Sequence, residues 1–242
     1  MDQDAITHEA FFTLHRDLPR EGPGEAADVA WATALAGLRI DAEIADIACG
    51  PGADIAALLQ SAPKSHVTAL DKTQHFVAAA RATWRDDPRV MVLQADMARI
   101  MNDYDLIWCA GAVYFLGITE ALSAWRKSLK PGGVVAFSEP CWFTPNPSHA
   151  ATKAWADYPA MTDAAGIHER VAAAGYTVLG TRQLSDTAWE AYYTPLEHRL
   201  KTLQMGASPA LAQTLADHAA EIATWRAHRA EFGYQLTVAR PK

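Results

Sequence analysis

Short apolar runs alternate along the chain with longer segments in which apolar residues recur at helical spacing, beginning near residue 44. The runs that predict β-strands are residues 44–48, 67–70, 90–93, 106–109 and 134–137. Strands that alternate with helices are typical of βαβ units, which assemble into a parallel sheet covered by helices on both faces. The pattern therefore predicts an α/β fold with a doubly wound, mostly parallel sheet.

The segment before the fifth strand carries a stripe of apolar residues from Ile118 to Leu129 at helical spacing. It predicts a helix that packs on one side. We expect Lys130-Pro131-Gly132-Gly133 to end this helix before the strand begins at Val134. The remaining predicted elements of the core are a helix at residues 162–174 and strands at residues 178–184 and 235–239.

Residues 1–40 are also predicted to be helical, with Pro19 and Gly22-Pro23-Gly24 forming a tight loop between two helices. Residues 185–231 are predicted to be helical as well, where Pro195 would begin one helix and Ser208-Pro209 would begin the next. We predict one domain composed of an N-terminal helical lid (1–40), a core (41–184), a helical cap (185–231) and a final strand (232–242).

The charge balance limits the partners that this chain can have. It contains 21 Lys and Arg against 28 Asp and Glu, a formal net charge of −7, so nucleic acid is an unlikely partner. Three cysteines and an acidic N-terminus without an apolar segment favour a cytoplasmic, reducing location. No apolar run is long enough to span a membrane. We expect a soluble protein.

Acidic residues stand where the first three strands end. The first strand runs into Asp46-Ile47-Ala48-Cys49-Gly50-Pro51-Gly52, the second ends at Asp71, and the third leads to Asp96-Met97. Ligands bind outside the carboxyl ends of parallel strands, and glycines let the backbone approach them closely. Such carboxylates can accept hydrogen bonds from a ribose diol and an adenine amino group, and they favour a positively charged ligand.

These residues, together with Leu129-Lys130-Pro131-Gly132-Gly133, resemble the motifs of the class I S-adenosylmethionine-dependent methyltransferases. The resemblance is strong over residues 44–140 and departs mildly at Pro51, where the family often has Thr or Ser. It implies a Rossmann-like methyltransferase fold with seven strands in the order 3-2-1-4-5-7-6, the last of them antiparallel. It also implies S-adenosylmethionine as the cofactor and S-adenosylhomocysteine as the product.

The resemblance further implies the roles of the cofactor-binding residues. Asp46 would hold the ammonium group of the methionine moiety, Asp71 the ribose hydroxyls, and Asp96 the adenine edge. The other residues expected to contact the cofactor are Ala48, Cys49, Gly50, Gly52, Lys72, Met97, Ala110 and Gly111.

Outside the core, the chain is similar to a poorly characterised bacterial branch of these enzymes. We expect a small-molecule methyl acceptor in an aromatic-lined pocket under the cap, because several tryptophans lie in predicted loops or in the cap, where core packing demands less. The candidate substrate-binding residues are Arg20, Tyr114, Trp142, Trp155, Trp189 and Tyr193. Glu139, just after the fifth predicted strand, and Tyr114 are candidate catalytic groups, although a thiolate, neutral amine or carboxylate acceptor needs no base.

Several alternatives remain open. A non-catalytic S-adenosylmethionine-binding or sensing module would keep the cofactor site without an acceptor cavity. A nicotinamide-dependent oxidoreductase is disfavoured, since Ile55 replaces the third glycine of its fingerprint. Cys49, Cys109 and Cys141 lie at or just beyond strand ends and could form a thiol site for a soft metal. Cysteine as a small apolar residue explains them better, so we expect no metal. The acceptor atom is open, as is the choice between monomer and homodimer.

Overall fold

The computed structural model describes residues 3–242, with side chains described from Ile6 onward; the first two residues of the predicted lid lie outside the described residues. The strands are β1 (Glu43–Ile47), β2 (His66–Asp71), β3 (Val90–Gln94), β4 (Tyr104–Cys109), β5 (Leu129–Trp142), β6 (Thr162–Asp163), β7 (Tyr176–Gln183) and β8 (Phe232–Pro241). The α-helices are α1 (Gln3–His15), α2 (Ala26–Ala36), α3 (Ile55–Ser61), α4 (Gln74–Trp84), α5 (Ile118–Trp125), α6 (His149–Ala154), α7 (Ala164–Ala173), α8 (Asp186–Leu203) and α9 (Pro209–His228). Within residues 3–242, no helix has the length and apolarity needed to cross a membrane.

The main strands form one sheet in the order β3-β2-β1-β4-β5-β8-β7, and the two-residue β6 pairs with the end of β5. Strands β1 to β5 run parallel to one another, whereas β8 runs antiparallel to both β5 and β7. If the short β6 is left out of the count, this is the order 3-2-1-4-5-7-6. The predicted doubly wound, mostly parallel seven-stranded fold is therefore confirmed.

Two cores lie on opposite faces of the sheet. Ile44 and Ala45 are neighbours on β1, yet Ile44 joins the core beneath α2, α3 and the cap, whereas Ala45 joins the core beneath α5 and α7. Side chains of a strand alternate between the two faces, so a strand buried on both sides must be apolar throughout. The short continuous apolar runs in the sequence are the consequence.

The cap consists of α8 and α9, against which α1 also packs. The Ser208 hydroxyl accepts the Leu211 N–H and Pro209 takes the first helical position, so the predicted start of α9 is confirmed. The predicted helix start at Pro195 is wrong, because Pro195 lies inside α8. That helix begins earlier, where the Ser185 hydroxyl accepts the Ala188 N–H.

Strand β5 is longer at both ends than its apolar run predicts. It begins at Leu129, because α5 already ends at Trp125 and a 3₁₀ turn over Arg126–Ser128 follows it. At the other end, pairing with β8 continues as far as Trp142 opposite Phe232. The expectation that Lys130 to Gly133 form a turn outside the strand is therefore wrong. So is the expectation that Glu139, Cys141 and Trp142 follow the strand, since all three lie within β5.

Candidate cofactor and acceptor site

The loop after β1 contains two glycines, so part of its backbone is not covered by side chains at the carboxyl edge of the sheet. Ala48, Gly50 and Gly52 have φ of 55°, 55° and 86°, the left-handed region that glycine adopts most readily. A Cβ on Gly52 would also lie 2.9 Å from Ile55 Cδ1. The Cys49 N–H donates to the Leu70 carbonyl at 3.0 Å, which ties this glycine-rich loop to β2.

Asp71, the last residue of β2, is held directly against the glycine-rich loop. Its buried carboxylate accepts the Gly50 N–H at 3.0 Å and the Thr73 N–H at 2.7 Å. Next to it, the Lys72 ammonium lies 5.6 Å from the centre of the Phe115 ring, within the range of a cation–π contact. The structure thus brings together the predicted ribose-binding residue and the predicted methionine-binding loop.

A second pair of acids lies under the same loop. Asp46 is buried, and its Oδ2 has no hydrogen-bond partner among the described residues. Burial raises the pKa of Asp46 well above its usual value, the charges of Asp54 and Asp71 raise it further, and Arg20 opposes them. Asp54 accepts the Trp108 Nε1–H at 2.9 Å and an Arg20 Nη2–H at 3.4 Å. Arg20 from the lid therefore reaches this acidic group.

The ends of β3 and β4 complete the edge of the site. The Asp96 carboxylate accepts the Ala98 N–H at 2.9 Å, and the Met97 carbonyl accepts the Trp125 Nε1–H at 2.7 Å. After β4, Ala110 leads to Gly111, which has φ of 67° and donates its N–H to Ser138 Oγ at 2.7 Å. Every predicted cofactor-binding residue is thus found at the carboxyl ends of β1, β2, β3 and β4.

Glu139 is a fully buried carboxyl group within β5. The structure places it opposite Gln235 of β8, not at an open pocket edge after the strand. Its Oε1 accepts the Tyr158 hydroxyl at 2.5 Å, and its Oε2 has no partner among the described residues. Burial raises the pKa of Glu139 to about 7, against the opposing effects of Tyr158 and Arg170.

Tyr114 lies close to this carboxyl group. Its ring centre is 5.7 Å from that of Tyr158. Burial raises the pKa of Tyr114 to about 12, and the charges of Glu139 and Glu221 act in the same direction. The two predicted catalytic candidates therefore belong to one tyrosine–glutamate cluster. Tyr158, which joins them, is absent from the sequence-based site because its contact depends on the folding of the loop before β6.

The aromatic residues of the cap are core residues. Trp189 stacks on Trp225 with ring centres 4.9 Å apart and on Tyr234 with ring centres 5.3 Å apart. Tyr193 is also buried, and its hydroxyl donates to Glu221 Oε1 at 2.9 Å. The expectation that core packing demands little at Trp189 is wrong, because its ring packs on Trp225 of α9 and on Tyr234 of β8.

Trp142 and Trp155 lie nearer the surface. Both contact the Phe232 ring edge-on, with ring centres 6.2 and 5.9 Å apart respectively. Trp142, at the end of β5, also lines a cleft of about 370 Å³, a size that suits a small ligand. The other residues that line this cleft are Cys141, Phe143, Thr144, Pro145, Asp163, Ala164, Ala165, Gln183 and Gln235.

The three cysteines do not converge. Cys49 belongs to the core beneath α2, α3 and the cap, whereas Cys109 and Cys141 belong to the core on the other face of the sheet. Among the described residues, no group of three His, Cys, Asp or Glu side chains could hold a metal ion. Burial raises the pKa of all three thiols, which opposes thiolate formation. The alternative of a common thiol site is contradicted.

Known proteins resemble the part of the chain that carries this site. Residues 44–133 match a family model described as a methyltransferase domain. The chain is 32% identical over 112 residues to a trans-aconitate 2-methyltransferase from Deinococcus radiodurans, a match that covers 46% of this chain and 41% of that protein. The match thus spans less than half of that relative's length.

Solved structures resemble the whole chain at low sequence identity. A methyltransferase from Geobacter sulfurreducens, crystallised with S-adenosylhomocysteine, has a TM-score of 0.83 and 17% identity, covering 97% of this chain and 98% of that one. The [4+2]-cyclase SpnF has a TM-score of 0.75 and 17% identity, covering 98% and 92%. At these identities the likeness shows a shared fold, and that fold carries more than one named activity.

Proposed function

Because residues 44–133 match a methyltransferase domain, we propose that the chain is a class I S-adenosylmethionine-dependent methyltransferase, which transfers a methyl group from S-adenosylmethionine to a small-molecule acceptor. The observation that carries this proposal is the position of Asp71, hydrogen-bonded to Gly50 at the end of β2. A carboxylate fixed beside a glycine-rich loop can accept both hydroxyls of a ribose while the loop backbone lies close to the rest of the ligand.

The neighbouring residues suit the remaining parts of the cofactor. Asp46 would face the ammonium group, and Asp96 with the Met97 N–H would bind the adenine edge. The site has an excess of carboxylates, which favours a ligand whose ammonium and sulfonium charges outnumber its single carboxylate. Arg20, which already contacts Asp54, would pair with that carboxylate.

The acceptor would lie between the end of β5 and the cap. Tyr114, Trp142 and Trp155 would line its pocket, and aromatic walls exclude water from a displacement reaction. An oxygen or carbon acceptor needs a base to remove its proton. Glu139, with a pKa near neutrality, would take up that proton through the Tyr158 hydroxyl, which donates to its Oε1. Trp189 and Tyr193 would support this pocket from the core behind it.

The comparisons support a small acceptor, since the Deinococcus radiodurans relative is named for trans-aconitate. They also favour one second candidate. A cyclase has the same fold over nearly the whole chain, so a protein of this architecture need not transfer a methyl group. That candidate is a cofactor-binding protein that does not transfer the methyl group.

Incubation with methyl-labelled S-adenosylmethionine and a mixture of small amines, phenols, thiols and carboxylic acids tests the proposal. We expect label in an acceptor. Trp142→Ala should lower turnover at least about tenfold, since it removes a pocket wall, with cofactor affinity within about twofold of the wild type. Trp31→Ala, which removes a ring packed against Gly180 on β7, is the control and should change neither quantity. Cofactor binding without label transfer to any acceptor would favour the non-transferring candidate.

A further inference from the structure

A chain of hydrogen bonds links the lid to the cap beside the glycine-rich loop. Glu21, between α1 and α2, has its Oε2 2.7 Å from His15 Nδ1. His15 Nε2 lies 3.0 Å from His218 Nε2 on α9, and His218 Nδ1 lies 2.8 Å from the Thr214 carbonyl oxygen. His15 is buried, with Phe11 stacked on its ring at 3.9 Å. These hydrogen bonds and the stacking of Phe11 therefore hold the side chains of Glu21, His15 and His218 in fixed positions.

The last acceptor of this chain determines where its protons lie. The Thr214 carbonyl can only accept, so His218 Nδ1 carries a hydrogen. The Nε2 of a neutral His218 is then an acceptor, and His15 Nε2 must be the donor to it. One further proton is left for His15 Nδ1 and Glu21 Oε2 to share. Burial lowers the pKa of His15 to about 4 and raises that of Glu21 to about 8, so both shifts keep this proton on the carboxyl group at neutral pH.

Glu21 also touches the proposed cofactor site. Its Cγ lies 3.4 Å from the position that a Cβ on Gly50 would occupy. Its Oε1 is buried and has no partner among the described residues. Two acidic side chains, Asp71 and Glu21, therefore lie against the glycine-rich loop at Gly50.

Titratable groups on four elements interact with Glu21. The negative charge of Asp71 raises its pKa, and His218 on α9 lowers it. His15 on α1 is hydrogen-bonded to Glu21 Oε2, and the charge of Glu221 raises the pKa of His15. Glu21 in turn raises the pKa of Tyr192 on α8. A cation placed against the loop would add to the attraction that His218 exerts on an ionised Glu21.

We propose that Glu21 is a cofactor-binding residue that releases its shared proton to solvent when the positively charged cofactor binds, and so selects S-adenosylmethionine over S-adenosylhomocysteine. This inference rests on the proposed function. S-adenosylmethionine carries a sulfonium charge that its product lacks. An ionised Glu21 beside the loop is therefore stabilised by the cofactor and much less by the product.

The direction of the pH dependence follows from proton linkage. A ligand that binds better to the ionised carboxyl lowers its pKa and releases a proton on binding. The affinity for S-adenosylmethionine then rises with pH up to the pKa of the free protein, about 8, and is constant above it. The affinity for S-adenosylhomocysteine should change less. The amino groups of the two ligands also titrate in this pH range. Their contribution is the same for every protein variant and therefore cancels when variants are compared.

Calorimetric titration of the full chain with both compounds from pH 6 to pH 9 tests the proposal. Buffers of different ionisation enthalpy give the number of protons released. In Glu21→Gln, the amide can still donate to His15 Nδ1 but cannot ionise. The exposed Glu9 on α1 provides the matched control, Glu9→Gln. From pH 6 to pH 9, the preference for S-adenosylmethionine should rise about threefold to tenfold in the wild type and control, and stay constant in Glu21→Gln.

Glu21→Ala gives a second test in case Glu21→Gln does not fold. The alanine removes the shared proton and the ionisable group together, so the preference for S-adenosylmethionine should again stay constant from pH 6 to pH 9. Proton release equal to that of the wild type in either Glu21 variant would overturn the role of Glu21 alone. Absence of binding by the wild type would overturn the proposed function and this inference with it.

Discussion

Asp71→Ala is expected to weaken the binding of S-adenosylmethionine by at least about tenfold, because a hydrogen bond to a charged group contributes about 1.5–3 kcal/mol. Two effects combine in this variant. The ribose loses its acceptor, and the Gly50 and Thr73 N–H groups lose the carboxylate that holds them at 3.0 and 2.7 Å. Calorimetric titration measures the change directly.

Asp41→Ala is the matched control for that variant. Asp41 is an exposed residue before β1, at the opposite edge of the sheet, and pairs with Arg39 on the surface. Its removal should leave the cofactor affinity unchanged. If the folded Asp71→Ala protein bound the cofactor as tightly as the wild type, Asp71 would not be the ribose ligand.

Glu139→Gln is expected to remove a large part of the pH dependence of stability. Burial raises the Glu139 pKa from about 4.5 to about 7, so the folded protein holds this proton more tightly than the unfolded chain. The stabilisation from the neutral carboxyl is complete below about pH 4.5 and is lost as the pH rises through about 7. Between pH 5 and pH 8 the wild type should lose about 2–3 kcal/mol of unfolding free energy through this group.

Urea denaturation at pH 5 and pH 8 checks this expectation. The amide oxygen that Glu139→Gln introduces can still accept the Tyr158 hydroxyl, so the variant should keep its stability at pH 8 better than the wild type. Glu169→Gln changes an exposed carboxyl on α7 and should keep the wild-type pH dependence. Equal losses of stability in wild type and Glu139→Gln would show that Glu139 is already ionised near pH 5.

The cofactor half of the molecule could be predicted because its signals are local. A buried strand must be apolar throughout, and a tight turn that approaches a ligand needs glycine, so Asp46, Gly50 and Asp71 fall at positions that the sequence alone defines. Asp54 and Glu21 have no such signal. Their importance arises from Trp108 and His15, which reach them only after the chain has folded.

The part of the molecule proposed to bind the acceptor was harder to predict, because contacts between distant parts of the sequence determine its structure. Periodicity predicts the end of β5 at Phe137, but antiparallel pairing with β8 extends it to Trp142 and turns Glu139 inward. Proline usually marks a helix start, yet Ser185 already begins α8 and Pro195 falls inside it. The position of Trp189 in the predicted cap suggests a pocket residue, whereas its stacking on Trp225 shows that it belongs to the core.

Calorimetric titration of the purified chain with S-adenosylmethionine, S-adenosylhomocysteine and NAD identifies the cofactor that this site binds. We expect micromolar binding of both sulfur compounds and no binding of NAD. Binding of NAD without binding of either sulfur compound would rule out a methyltransferase cofactor site and favour a nicotinamide-dependent oxidoreductase.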